Sequence, residues 1–164
     1  MEGGKIINSS DLHEGNTLLE WVAGSSERKT LLIISFVLIL LQFWGLKYLY
    51  PFPNFLPDSY SYLEAAYNNQ LINVWPIGYS KFLRLFSCFT KSHVVLVLFQ
   101  YLFLYCSIFY FVLSTAHQLS FGKWLLRIML AMSVLNPLIF FISNFISSDA
   151  IFAGLSILWL TQLF

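Results

Sequence analysis

The chain has 164 residues, 58% of them hydrophobic and only 10% charged, with a mean hydropathy of +0.71 and a net charge of +1. A soluble domain carries about 25% charged residues, so there is too little polar surface here to coat a globule, and the fitting solvent is lipid. The near-neutral charge excludes a nucleic-acid-binding surface, and the spacing of Cys88 and Cys106 fits neither a disulfide framework nor a zinc site.

Residues 1–29 read as a polar cytoplasmic tail, with Glu2, Asp11, Glu14, Glu20 and Glu27 and no apolar run of the signal-peptide kind. Asn8-Ser9-Ser10 matches a glycosylation sequon, a pattern short enough to arise by chance in such a tail. Residues 30–164 carry four apolar segments, at about 30–50, 94–116, 124–142 and 146–164. A helix needs roughly 20 apolar residues to cross the hydrocarbon layer, so each is read as a span. The expected fold class is an all-α membrane protein with about four transmembrane helices and an extracytoplasmic loop bearing short interfacial helices. The Phe-rich composition suits lipid-facing surfaces, and the tyrosines suit the interface belts. The apolar pattern still runs at Phe164, which is read as the front of a longer polytopic protein.

Arg28, Lys29, Lys123 and Arg127 fall on one side of such a topology, the cytoplasmic side by the distribution of basic residues. Lys47, Lys81, Arg84 and Lys91 fall on the other. Between the first two spans, residues 51–93 are too long for a simple connection of about 2–8 residues. Pro51, Pro53 and Pro57 keep the exit extended. A short helix fits 58–67, with Asp58 as its cap or Ser61 and Glu64 as a capping box, and Asn68-Asn69-Gln70 ends it. A second helix fits 76–89. Its apolar face, Tyr79, Phe82, Leu83 and Phe86, either enters the bilayer or packs on neighbouring helices. Asn136-Pro137 predicts a kink in the third span, with Asn136 bonding a neighbouring helix or freed backbone.

Charges beside apolar segments are the candidates for chemistry, because ionisable groups near a bilayer are costly and persist mainly where they are useful. Asp58 follows the first span, and Asp149 heads the fourth within Ser147-Ser148-Asp149. Each also reads as a carboxylate favoured by a helix N-terminus. With alternating spans both reach the outer face. There one acts as a general base and the other positions a second substrate or binds a metal.

The order of a first span, a Pro-Asp-Ser-x-x-Tyr loop at residues 57–62, Trp75-Pro76-Ile77-Gly78-Tyr79 opening a helix, and Ser-Ser-Asp at 147–149 resembles the N-terminal part of GT-C type membrane glycosyltransferases. These include protein O-mannosyltransferases and lipid A aminoarabinose transferases. The resemblance implies transfer, with inversion, of a sugar from a polyprenyl-phosphate-linked donor to a hydroxyl of a lipid, protein or glycan acceptor. The site would lie at the extracytoplasmic face of a plasma, inner or endoplasmic reticulum membrane. It implies Asp58 as base and Asp149 as the second acid, with a divalent metal ion as a cofactor to be tested. Lys81, Arg84 and Lys91 are then candidates for the donor phosphate, or are ordinary interfacial anchors. Tyr60 and Tyr62 are candidates for sugar or acceptor contact, or members of the aromatic belt. The alternative is a non-catalytic four-span scaffold or assembly subunit. A transporter of lipid-linked sugars would need acids at membrane depth, and none lies mid-span.

Overall fold

A computed structural model of the chain describes residues 17–163. The sequon at Asn8, most of the polar tail and Phe164 lie outside the described residues. Eight helices are described: α1 (Leu18–Ala23), α2 (Ser26–Leu49), α3 (Pro57–Tyr67), α4 (Ile77–Ser87), α5 (His93–Gln118), α6 (Lys123–Val134), α7 (Pro137–Ser143) and α8 (Asp149–Gln162).

Helices α2 and α5 are long and apolar enough to cross a membrane. Their 24 and 26 residues rise about 36 and 39 Å, against about 30 Å of hydrocarbon. Helix α2 starts earlier than the apolar run, because Ser25 caps it and a polar turn precedes Thr30. Only one stripe of α2 is buried, Ser35, Ile39, Phe43 and Lys47, spaced four apart on one helix face. Ile33, Ile34, Val37 and Leu41 are exposed, a pattern that fits a lipid environment.

The third apolar segment is broken where the sequence predicts a kink: α6 and α7 meet at 41°. Pro137 has no N–H to continue the helix. Asn136 Oδ1 accepts the Leu138 N–H, so of its two expected roles it takes the freed backbone. The Val134 carbonyl, the ordinary helical partner of Leu138, instead accepts the Tyr105 hydroxyl at 3.3 Å. Counted as one bent span, α6 and α7 make three candidate spans. The fourth differs from expectation. Helix α8 has 14 residues, about 21 Å, and falls short of the hydrocarbon thickness. Residues 144–148 form no helix: Phe145 bridges Asn54, in the segment following α2, through the Asn144 carbonyl and the Ile146 N–H.

Helix α5 is the hub. Its Val97, Tyr101, Leu104 and Tyr105 form one core with Ile39 and Phe43 of α2, Val134 of α6 and Ile139 of α7. On another side it meets α8, where Gly154 lets the helices close: a Cβ there would lie 2.6 Å from the Phe103 ring. At the other end of the molecule Glu27 pairs with Arg127 and Lys123, joining the starts of α2 and α6.

Helices α3 and α4 pack on each other and, through Leu96, on α5. Of the two settings weighed for the apolar face of α4, the packed one is found. Tyr79 and Leu83 are buried, and Phe82 and Phe86 lie against Phe99 of α5. Helix α3 ends where the asparagines predict, with Asn69 in the left-handed region at φ 51°. Its start corrects both expected caps. Asp58 occupies the first turn rather than the cap, and Ser59 Oγ accepts the Leu56 N–H at 2.9 Å. Ser61 donates to Asn73 instead of forming a box with Glu64.

Candidate functional site

Two loops lead into the helices that carry the two acids, and backbone hydrogen bonds join them. The Asn54 N–H donates to the Asn144 carbonyl at 2.9 Å, and the Ile146 N–H to the Asn54 carbonyl at 3.1 Å, forming a parallel bridge between Asn54 and Phe145. Asp58 follows Asn54 by four positions, and Asp149 follows Phe145 by four. Each carboxylate therefore sits in the first turn of a helix that leaves the bridge, α3 or α8, where free N–H groups favour negative charge.

Side chains below the bridge fix this meeting point. Lys47 at the end of α2 is 5% exposed, and its ammonium donates to Asn144 Oδ1 at 2.6 Å. Asn144 Nδ2 donates on to the Phe52 carbonyl at 3.4 Å. Gln100 of α5 is fully buried; its Nε2 donates to the Ser143 and Phe145 carbonyls at 3.0 and 2.9 Å. Its Oε1 accepts the Tyr79 hydroxyl at 2.6 Å. One glutamine thus satisfies two carbonyls at the frayed end of α7 and ties α4 to them, which an apolar residue could not do.

Tyr62 links the two acid-bearing helices. It lies one turn beyond Asp58, on the same face of α3, and its hydroxyl is 3.2 Å from Ser148 Oγ, next to Asp149. Its ring meets Tyr79 edge-on at 5.0 Å. The Tyr79 phenol feels both carboxylates: burial pushes its pKa up, and Tyr62, Asp149 and Asp58 push it further.

The predicted site residues separate into two groups. Asp58 is half-buried, and among the described residues its carboxylate makes no hydrogen bond or ion pair. Asp149 is exposed, with Ser147 donating to its Oδ2 at 3.0 Å. Tyr60 is 66% exposed and stacks on Phe55. Tyr62, at 2% exposure, belongs to the core, with its ring enclosed. The three candidate cations lie at the opposite end of α3. Lys81 donates to Asn69 Oδ1 at 3.0 Å, and Arg84 to the Ala66 and Tyr67 carbonyls at 3.2 and 3.4 Å. Lys91 is exposed in the turn before α5. From Asp58 to Tyr67 the helix rises about 13 Å, so the cations and the acids are not brought together.

No protein family, characterised protein or solved structure matches this chain. The reading of its surface therefore rests on its own residues. No group of three or more His, Cys, Asp or Glu side chains converges among the described residues. A divalent ion between Asp58 and Asp149 would need most of its ligands from water and a phosphorylated substrate, as magnesium sites often do.

Reasoning from sequence finds Asp58 and Asp149 because they are charges beside apolar runs. It passes over Gln100, Asn144 and the role of Lys47. Their signal is a polar side chain within or at the edge of an apolar segment, which in a membrane must find a partner.

Proposed function

We propose that the face carrying Asp58 and Asp149 is the acceptor side of a membrane glycosyltransferase of the GT-C type. In this reading α2 and α5, the bent α6–α7 pair and the shorter α8 are the membrane elements, and α3 and α4 lie at the extracytoplasmic surface. The observation that carries the proposal is the Asn54–Phe145 bridge, which holds the two acid-bearing helix starts side by side. Asp58 has no partner among the described residues and is free to accept a proton.

The chemistry is a single displacement. The acceptor oxygen forms a bond to the anomeric carbon as the bond from that carbon to the phosphate oxygen breaks. Polyprenyl phosphate leaves with the electron pair, and Asp58 takes the acceptor proton. Attack opposite the leaving group inverts the anomeric centre. Asp149, exposed beside it, orients the acceptor through its oxygens. Lys81, Arg84 and Lys91 lie outside this face, so the donor phosphate draws its cations from elsewhere.

The test is release of polyprenyl phosphate from a panel of polyprenyl-phosphate sugars by membranes carrying the protein. Loss of a general base lowers turnover by about 10²–10⁴-fold, so Asp58→Asn should fall in that range while stability drops by no more than the about 0.3–1 kcal/mol that a first-turn carboxylate contributes. Turnover at the unsubstituted level in that variant removes Asp58 as base.

One observation favours the scaffold reading: both acids occupy helix first turns, where a carboxylate is stabilising without any catalytic role. A scaffold would lose about 0.3–1 kcal/mol of stability on each Asp→Asn change and would show no transfer with any donor.

A further inference from the structure

We propose that the cavity at the C-terminal end of α3 binds the phosphate of an anionic membrane phospholipid. It lies where α3, α4 and the first turn of α5 meet, and its volume is about 370 Å³. Its rim carries Arg84, Lys91 and His93, and its floor is Leu63, Leu83 and Leu96. None of its lining residues is acidic.

The rim has donors to spare. Arg84 uses Nη1 for the two α3 carbonyls, which leaves Nε and Nη2 without acceptors among the described residues. Lys91 is exposed and makes no hydrogen bond or ion pair among the described residues. A guanidinium fork beside an ammonium matches a phosphate diester in charge and geometry. The floor and position select the rest of the ligand. The cavity opens at the start of α5, where the chain enters an apolar helix long enough to span the membrane. On α5, Val95 and Phe99 are exposed, and Phe99 touches Phe86 of the cavity lining, apolar surface available to acyl chains. A soluble phosphate would leave the apolar floor wet, whereas a lipid fills both halves.

The inference does not depend on glycosyl transfer, since the basic rim lies by the end of α3 at Tyr67, about 13 Å along the helix from Asp58. It gives the cations a structural role. A lipid phosphate on Arg84 would neutralise the guanidinium that caps α3 and so clamp α3, α4 and α5 together.

The test is native mass spectrometry of the full chain in mild detergent, titrated with dioleoyl-phosphatidylglycerol or dioleoyl-phosphatidylcholine. The anionic lipid should be retained several-fold more tightly. Lys91→Gln breaks no contact seen in the fold, and it should loosen the anionic lipid on the order of fivefold while leaving the zwitterionic one unchanged. Arg84→Gln should loosen it further. Equal retention of the two lipids overturns the proposal, as does unchanged binding of the anionic lipid by Lys91→Gln. Displacement of the bound lipid by millimolar inorganic phosphate also overturns it, because the site would then be one for soluble phosphate.

Discussion

Lys47 and Asn144 form the contact whose removal should cost most for its size. Lys47 is 5% exposed, and its ammonium donates to Asn144 Oδ1 at 2.6 Å. Asn144→Ala deletes that acceptor and leaves a buried cation without it. An unsatisfied buried donor costs about 1–3 kcal/mol, and more when charged, so a loss of roughly 3 kcal/mol is expected. The Nδ2 bond to the Phe52 carbonyl is lost as well, but at 3.4 Å it contributes little. Lys47→Met leaves only a neutral amide oxygen unpaired and should cost about 1 kcal/mol. The double variant Lys47→Met, Asn144→Ala removes both polar groups and should recover most of the larger loss, costing about 1 kcal/mol. The predicted coupling in the double-mutant cycle is therefore about 3 kcal/mol. Reversible unfolding of the full chain in mixed detergent micelles, followed by tryptophan fluorescence, gives all four stabilities. If Asn144→Ala costs less than about 0.5 kcal/mol and the two changes are additive, the buried tie does not exist as described.

Further perturbations test other parts of the packing. Gly154→Ala should destabilise by about 1–3 kcal/mol, because its Cβ would meet the Phe103 ring at 2.6 Å; Gly45→Ala, with nothing within 4 Å, should be neutral or slightly stabilising in the same unfolding assay. Gln100→Leu leaves the Tyr79 hydroxyl and the Ser143 and Phe145 carbonyls without their partner, and should cost about 2–4 kcal/mol. The Tyr79 phenol has a folded pKa raised by burial and by Tyr62, Asp149 and Asp58, so the folded state holds its proton above pH 10 while the unfolded chain releases it. Its contribution is complete below pH 10 and declines by up to about 1.4 kcal/mol per pH unit above it; Tyr79→Phe should show a shallower alkaline loss of stability, and an unchanged slope would refute this.

The main helices were legible because each rests on a local property. The run that became α5 has no internal charge and that of α2 only Lys47 near its end, and Pro137 must break or kink any helix it interrupts. Helix α8 was read as too long because residues 146–148 are as apolar or small as those that follow. They stay outside the helix, and the Ile146 N–H is taken instead by the carbonyl of Asn54, distant in sequence. Asp58 and Asp149 were visible as isolated charges, but their proximity was visible only through an assumed topology. The Lys47–Asn144 contact spans 97 positions, and no local pattern encodes such a choice of partner. The caps failed for a nearer reason: Pro57 takes the first helical position, and Ser59 Oγ reaches back to the Leu56 N–H. Asp58 is thereby left free of a capping bond.

The most direct test of the shared acid-bearing face is a disulfide across the bridge. Bridged residues on neighbouring extended segments lie about 5 Å apart at Cα, within disulfide range. In a background lacking Cys88 and Cys106, Asn54→Cys and Phe145→Cys should oxidise to a single intramolecular disulfide in native membranes. It would be read as a cross-linked peptide pair and as loss of maleimide labelling. Two thiols that stay free and fully labelled under the same oxidant would contradict the account, because the loops bearing Asp58 and Asp149 would not meet.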